Sequence, residues 1–225
     1  MDNNKKTIFD LGFHNGNDTA NYLSRGYNVI AVEADPFLAS AGLKRFKDEY
    51  NLIILNAAFC SDVRSEIPFY VFPDNRDWST ADKEKADYRK IAYETKNIPT
   101  VNYKHLIRTY GIPYYIKCDI EGFDYLLIKQ ICESGITPEY LSFELSRLDY
   151  YKIFSYLFVA GYTAFQLRNQ ANNPEYSSGE FGEYLPQKEW LSFDECLTRY
   201  MKYKELKAID NINLALGWID IHAKK

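Results

Sequence analysis

The stretch Thr7–Asp35, TIFDLGFHNGNDTANYLSRGYNVIAVEAD, reads as a strand, a glycine turn, a helix, a second strand and an acidic end. Ile8, Phe9 and Leu11 form one apolar run, and Gly12 and Gly16 bracket the turn. Asn17, Asp18 and Thr19 are residues that start helices. Asn28–Val32 is a second apolar run, closed by Glu33, Ala34, Asp35 and Pro36. Glu33 follows the glycines by about twenty residues, where a nucleotide-binding β-α-β unit places the carboxylate that holds ribose hydroxyls.

The residue types suit one ligand chemistry better than another. Glycine lets the backbone approach a ligand where a Cβ would clash, and a helix start offers unpaired N–H donors. The glycine spacing, however, is G-x-x-x-G rather than G-x-G-x-x-G, and Asp10 precedes the first glycine. That acid would repel a pyrophosphate. It would not repel a ligand that carries an ammonium, a sulfonium and a ribose, which is the description of S-adenosylmethionine. A dinucleotide, or a β-α-β unit with no cofactor, stays open at this point.

Outward from this unit, Phe37–Tyr50 has the spacing of an amphipathic helix, and Leu52–Phe59 reads as a buried strand. The order βαβαβ makes half of a parallel sheet, with ligands expected beyond the carboxyl ends of its strands. Asn56, Ala57 and Ala58 would then lie near an adenine. Ile67–Phe72 reads as a short extra strand, followed by a polar excursion in which Trp78 and Ser79 could face a cofactor. Asn97–Val101 reads as extended and Tyr103–Tyr110 as a helix.

Tyr114–Ile120 reads as the fourth core strand and runs into a helix whose Phe123, Leu127, Ile128 and Ile131 recur at helical spacing. If the strand stays regular, alternation puts Lys117, Asp119 and Glu121 on one side. Two carboxylates and an ammonium at such an edge are costly to desolvate unless paired or used. Tyr140–Leu145 is a fifth strand that brings Glu144 to its end. Asp149–Ala160 reads as a helix, Tyr162–Leu167 as a strand, Phe193–Leu206 as a helix and residues 213–223 as a last strand. The segment 168–190 between them is long for a loop inside a compact domain and reads as a lid or substrate loop.

The chain of 225 residues is 46% hydrophobic, so it can form one domain with a sizeable core. The net charge is −4 with no Lys/Arg-rich cluster, which gives no footprint for nucleic acid. No apolar run has the length of a signal peptide or of a membrane span. Cys60, Cys118, Cys132 and Cys196 form no C-x-x-C pair, so free thiols and a cytoplasmic location are expected.

The residues Asp10–Gly16 with Asn17-Asp18-Thr19, then Val32-Glu-Ala-Asp-Pro36, then Ile116-Lys-Cys-Asp-Ile-Glu-Gly-Phe-Asp124 resemble the FkbM-type family of S-adenosylmethionine-dependent methyltransferases. Ser177–Gly182, Trp190 and Gly217–His222 are similar to one branch of it, so the resemblance covers nearly the whole chain. His14 and Asn15 fill the turn where related sequences often carry smaller residues.

The resemblance implies an α/β, Rossmann-like class I methyltransferase fold. Its seven-stranded sheet is mostly parallel, with helices on both faces and an antiparallel last strand, in a single domain over residues 1–225. It also implies methyl transfer to a hydroxyl of a sugar, glycan or glycosylated metabolite. The cofactor residues expected are Asp10, Gly12, His14, Asn15, Gly16, Asp18, Thr19, Glu33, Ala34, Asn56, Ala57 and Asp119.

Glu121 or Asp119 is expected as the base, with Lys117 tuning charge, and His105 is a weaker alternative. Tyr176, Ser178, Phe181 and Glu144 are expected to face the substrate, aromatic faces suiting a sugar ring. Mg²⁺ held by Asp119, Glu121 and Glu144 is possible but not favoured, for want of a compact ligand motif. A nicotinamide-dependent sugar dehydrogenase and a non-catalytic binding module are the competing functions; the sequence leaves the oligomeric state open.

Overall fold

The computed structural model describes residues 1–2, 4–64, 66–145, 150–169, 180–210 and 219–225, with the helix backbone alone in 206–210. Seven strands make the main sheet: β1 (Thr7–Leu11), β2 (Asn28–Glu33), β3 (Leu52–Asn56), and further along the chain β8 (Tyr115–Cys118), β9 (Tyr140–Glu144), β10 (Ala164–Asn169) and β11 (Ile219–Lys224). Between them lie two small pairs. β4 (Ala58–Phe59) runs parallel to β7 (Thr100–Val101), and β5 (Ile67–Val71) runs antiparallel to β6 (Glu94–Ile98). The order across the main sheet is β10-β11-β9-β8-β1-β2-β3, and only β11 is antiparallel to its neighbours. This is the expected Rossmann-like class I methyltransferase arrangement. The strand order reverses between β1 and β8, which sets a crevice beyond their carboxyl ends.

The helices are α1 (Asn17–Ser24), α2 (Pro36–Arg45), α3 (Lys83–Tyr88), α4 (Tyr103–Tyr110), α5 (Asp124–Ser134), α6 (Tyr150–Val159) and α7 (Phe193–Asp210). Several carry their start signals in sequence. Asp35 accepts from the Phe37 N–H at 2.8 Å with Pro36 at the first turn of α2, and Asn102 accepts from the His105 N–H at 2.8 Å to open α4. Gly135 closes α5 at φ 65°.

Alternate strand residues feed two core clusters. Phe9, Leu11, Ile30, Val32, Ile116, Cys118 and Phe143 pack with Leu127, Ile128 and Ile131 of α5 and Ile153, Phe154 and Leu157 of α6. Ile8, Val29, Ala31 and Tyr115 point the other way and pack with Tyr22 of α1 and with Phe181. Asp10 and Lys117 share that second face by alternation, and this places them under the start of α1.

Two boundaries differ from the sequence reading for a physical reason. The run Leu52–Phe59 is not one strand. The Asn56 side-chain amide donates to the carbonyls of Glu33 (2.9 Å) and Ala34 (3.1 Å), the Ala57 N–H donates to Glu33 (3.0 Å), and the chain then leaves the sheet to pair with Thr100 and Val101. The strand Tyr114–Ile120 stops at Cys118, because Glu121 and Gly122 adopt left-handed backbone at φ 44° and 104°. Lys117, Asp119 and Glu121 therefore do not lie along one regular strand face.

Candidate functional site

The crevice at the carboxyl ends of β1, β2, β8 and β9 is a cavity of about 650 Å³. Gly12, His14, Asn15 and Asp18 line it from the first turn and α1. Glu33, Ala34, Ala57 and Phe59 line it from beyond β2 and β3, Lys117, Asp119 and Glu121 from β8 and its turn, and Glu144 from β9. Phe69, Arg76, Asp77, Trp78, Ser79, Lys85 and Arg89 close the far side, from the segment that follows β4.

The first turn is fixed by close packing. Gly12 has φ 88°, and a Cβ placed on it would lie 1.9 Å from the Asp119 carbonyl oxygen, so β1 and β8 approach here as only glycine allows. The chain continues with His14 also in the left-handed region at φ 50°. Its N–H donates to Glu33 Oε2 at 2.7 Å, while the Asp35 N–H donates to Glu33 Oε1 at 2.8 Å. Burial pushes the Glu33 carboxyl up to about 7 despite these two donors. Gly16, at φ 76°, precedes α1, whose start has no side-chain cap from that residue.

Beneath the turn lies an acid-rich knot around one cation. Lys117 Nζ donates to the Gly12 carbonyl at 2.8 Å and sits 3.7 Å from Asp119, 3.8 Å from Asp10 and 3.8 Å from Asp18. Asp10 is fully buried and accepts from Thr19 Oγ1 at 2.6 Å. Burial raises Asp10, and burial raises Asp18 to about 7; Lys117 pulls both down, and the neighbouring carboxylates push both up. Burial alone would lower Lys117, but Asp119, Asp10 and Asp18 outweigh it and hold the ammonium raised. One ammonium does not serve three carboxylates: Asp18 Oδ1 is buried without a hydrogen-bond partner. Asp124, the first residue of α5, is also pushed up to about 8 by burial, then by Asp119 and Glu144.

Glu121 lies in a different setting. Its Oε2 is 2.6 Å from Lys85 Nζ and 3.4 Å from Arg89 Nη2, and its carbonyl accepts from Thr80 Oγ1 at 3.0 Å. The segment that supplies these cations is tied to the rest of the mouth as well. His14 Nε2 lies 2.6 Å from Asp77, and Arg76 pairs with Asp35.

The expected cofactor residues are thus divided between lining and support. Gly12, His14, Asn15, Asp18, Glu33, Ala34, Ala57 and Asp119 line the cavity. Asp10, Gly16, Thr19 and Asn56 are outside the lining: Thr19 bonds the buried Asp10, and Asn56 bonds the carbonyls of the lining residues Glu33 and Ala34. On the substrate side, Glu144 lines the cavity, and Tyr176 and Ser178 fall outside the described residues.

Phe181 is placed elsewhere. It is fully buried, stacks on Tyr115 at 4.0 Å and 7°, and packs with Tyr27, Tyr114 and Tyr140 at the opposite ends of the strands. An aromatic ring enclosed this way has no face for a substrate. Arg76, Lys85 and Arg89 are cavity residues that sequence reasoning missed. Their signal was the run of charges at 74–90 around Trp78 and Ser79, but nothing local in it tells which charge turns inward. No group of three or more His, Cys, Asp or Glu among the described residues is arranged to hold a metal ion.

No curated protein matches the sequence. Solved structures similar to the chain include precorrin-6y C5,15-methyltransferase from Geobacter metallireducens (12% identity over 98% of this chain and 82% of that chain, TM-score 0.42). Another is phosphoethanolamine N-methyltransferase 2 of Haemonchus contortus in complex with phosphomonomethylethanolamine and S-adenosylhomocysteine (12%, 98% and 49%, TM-score 0.42). A third is M. jannaschii TYW2 in complex with AdoMet (10%, 100% and 70%, TM-score 0.39). The model of the methyltransferase FkbM domain matches residues 10–164, which takes in the glycine turn, the acid-rich knot and the Glu121 turn. The chain belongs to the methyltransferase FkbM domain family.

Proposed function

We propose that the chain is an S-adenosylmethionine-dependent O-methyltransferase acting on a hydroxyl of a sugar, glycan or glycosylated metabolite. The observation that carries the reading is the excess of carboxylate over cation at the glycine turn, where Asp10, Asp18 and Asp119 share Lys117 and both Asp18 and Asp119 line the cavity. A wall rich in carboxylates fits a cationic ligand and disfavours a pyrophosphate.

Asp18 and Asp119 would hold the charged amino-acid end of the methyl donor, Glu33 its ribose hydroxyls, and Ala57 and Phe59 the adenine side. When bound, S-adenosylmethionine supplies an electrophilic methyl group on a positively charged sulfur. The chain's own residues supply geometry and proton handling. Lys117, anchored on the Gly12 carbonyl, keeps the carboxylates and the turn in register, which suits a reaction whose rate depends on near-attack alignment. Glu121 accepts the proton that the acceptor hydroxyl gives up. Both of its cations reach Oε2, which leaves Oε1 for the acceptor.

Glu121→Gln, assayed with saturating donor, should lower turnover by about 10²–10⁴-fold. Turnover within about twofold of the parent would remove Glu121 from the base role. Calorimetry separates the rival activity: S-adenosylhomocysteine should bind and NADH should not. A panel of glycans and nucleotide sugars with labelled donor then identifies the acceptor.

A further inference from the structure

On the far wall of the cavity Asp77 faces His14 and Asp35 faces Arg76, but two cations share a single acid. Glu121 contributes one carboxylate, and Lys85 and Arg89 both converge on its Oε2, at 2.6 and 3.4 Å. Arg89 is largely buried, its Nε has no hydrogen-bond partner, and its guanidinium lies 4.7 Å from the centre of the Trp78 ring. A stacked arginine with donors to spare is a fork for an oxyanion. The nearby Arg76 is matched one-to-one by Asp35, so the surplus is local to Lys85 and Arg89.

We infer that the acceptor is anionic: it carries a phosphate or carboxylate that Lys85 and Arg89 bind, beside the hydroxyl presented to Glu121. This rests on the methyl-transfer reading above for which group faces Glu121. Trp78, which also lines the cavity, offers a flat face for the ring that bears both groups. A neutral acceptor would cover Lys85 and Arg89 with nothing to offset the second of the two positive charges. An anionic one completes the charge on this wall and is repelled from the acid-rich side, which fixes its orientation.

Calorimetric titration at low salt tests this with four probes: glucose, glucose 6-phosphate, glucuronate and inorganic phosphate, each with and without S-adenosylhomocysteine. At least one anionic probe should bind about tenfold or more tighter than glucose. Arg89→Gln and Lys85→Met should each reduce that preference to below about threefold. Glu121→Gln should raise anion affinity about threefold or more, because the carboxylate no longer competes for the same cations. That variant carries the test if either cation variant fails to fold.

Preference for the phosphates alone names a phosphorylated acceptor, and preference for glucuronate alone a uronic acid. No preference for any anion, or a preference that survives both cation substitutions, overturns the proposal. Equal affinity for all four probes together with tight S-adenosylhomocysteine binding would sink the anionic acceptor alone. Anion preference without S-adenosylhomocysteine binding would sink the methyl-transfer reading and leave the anion site standing.

Discussion

Lys117 and Glu121 leave the same strand end, yet one is a cation among three carboxylates and the other a carboxylate between two cations. The first cluster is mostly buried: Asp10 is sealed from solvent, and Lys117 is 16% exposed. The second is more open, with Glu121 at 28% and Lys85 at 34%, although Arg89 is at 17%. Burial makes the Lys117 cluster part of the fold, since unpaired charge in a dry site is expensive. Greater exposure at Glu121 and Lys85 makes this cluster weigh less in the fold, because solvent partly screens it. The crevice therefore has a rigid negative side and an adjustable positive side.

The substitution expected to break both sides at once is Gly12→Ala. The added Cβ would meet the Asp119 carbonyl at 1.9 Å in a left-handed backbone. Stability should fall by more than about 4 kcal/mol in urea denaturation, among the largest losses single substitutions cause.

Lys117→Met should come next. Removing the shared ammonium leaves Asp10, Asp18 and Asp119 uncompensated, at a loss of about 3–5 kcal/mol near pH 8. Part of that should return near pH 5.5, where Asp18, which titrates at about 7, is protonated. A loss independent of pH would assign Lys117 a packing role instead.

Glu33→Gln tests the electrostatics of the rigid side by slope rather than by height. Glu33 titrates at about 7 in the fold against 4.5 when unperturbed. The folded state therefore holds a proton that the unfolded chain releases between those values. The stabilisation is whole below 4.5 and is lost as pH rises through 7. The melting temperature of the parent should fall from pH 5 to pH 8, and that of the variant should fall less.

The smallest structural effect belongs to Glu121→Gln, whose melting temperature should correspond to a change below about 1 kcal/mol even though its turnover collapses. A stability loss as large as that of Lys117→Met would erase the contrast between the two sides.

The sequence disclosed the Lys117 side more fully than the Glu121 side. Thr7–Asp35 is built from local signals: apolar runs of strand length, glycines at the turn and an acid at the end of the second strand. Each of those is decided within a few residues of itself. The strand before Glu121 was legible for the same reason.

The path after Cys118 was not, because the left-handed backbone at Glu121 and Gly122 is stabilised from outside. Thr80, Lys85 and Arg89 hold it from a segment remote in sequence. Phe181 was misplaced for a similar reason. A phenylalanine in a polar loop looks like an exposed contact, and only the partners Tyr115 and Tyr140, contributed by two strands, make it a core residue. Asn56 shows the converse. Its side chain ends β3 by bonding backbone carbonyls at Glu33 and Ala34, a long-range contact that an apolar run conceals.

The position of β11 bears on how the molecule is made. It lies between β9 and β10 and is the partner that links them, although it follows both in the chain. During synthesis β9 must wait with one unpaired edge, and β10 cannot dock, until Ile219–Lys224 emerges. A chain cut short before Ile219 would therefore keep an open edge on β9 and have no place in the sheet for β10.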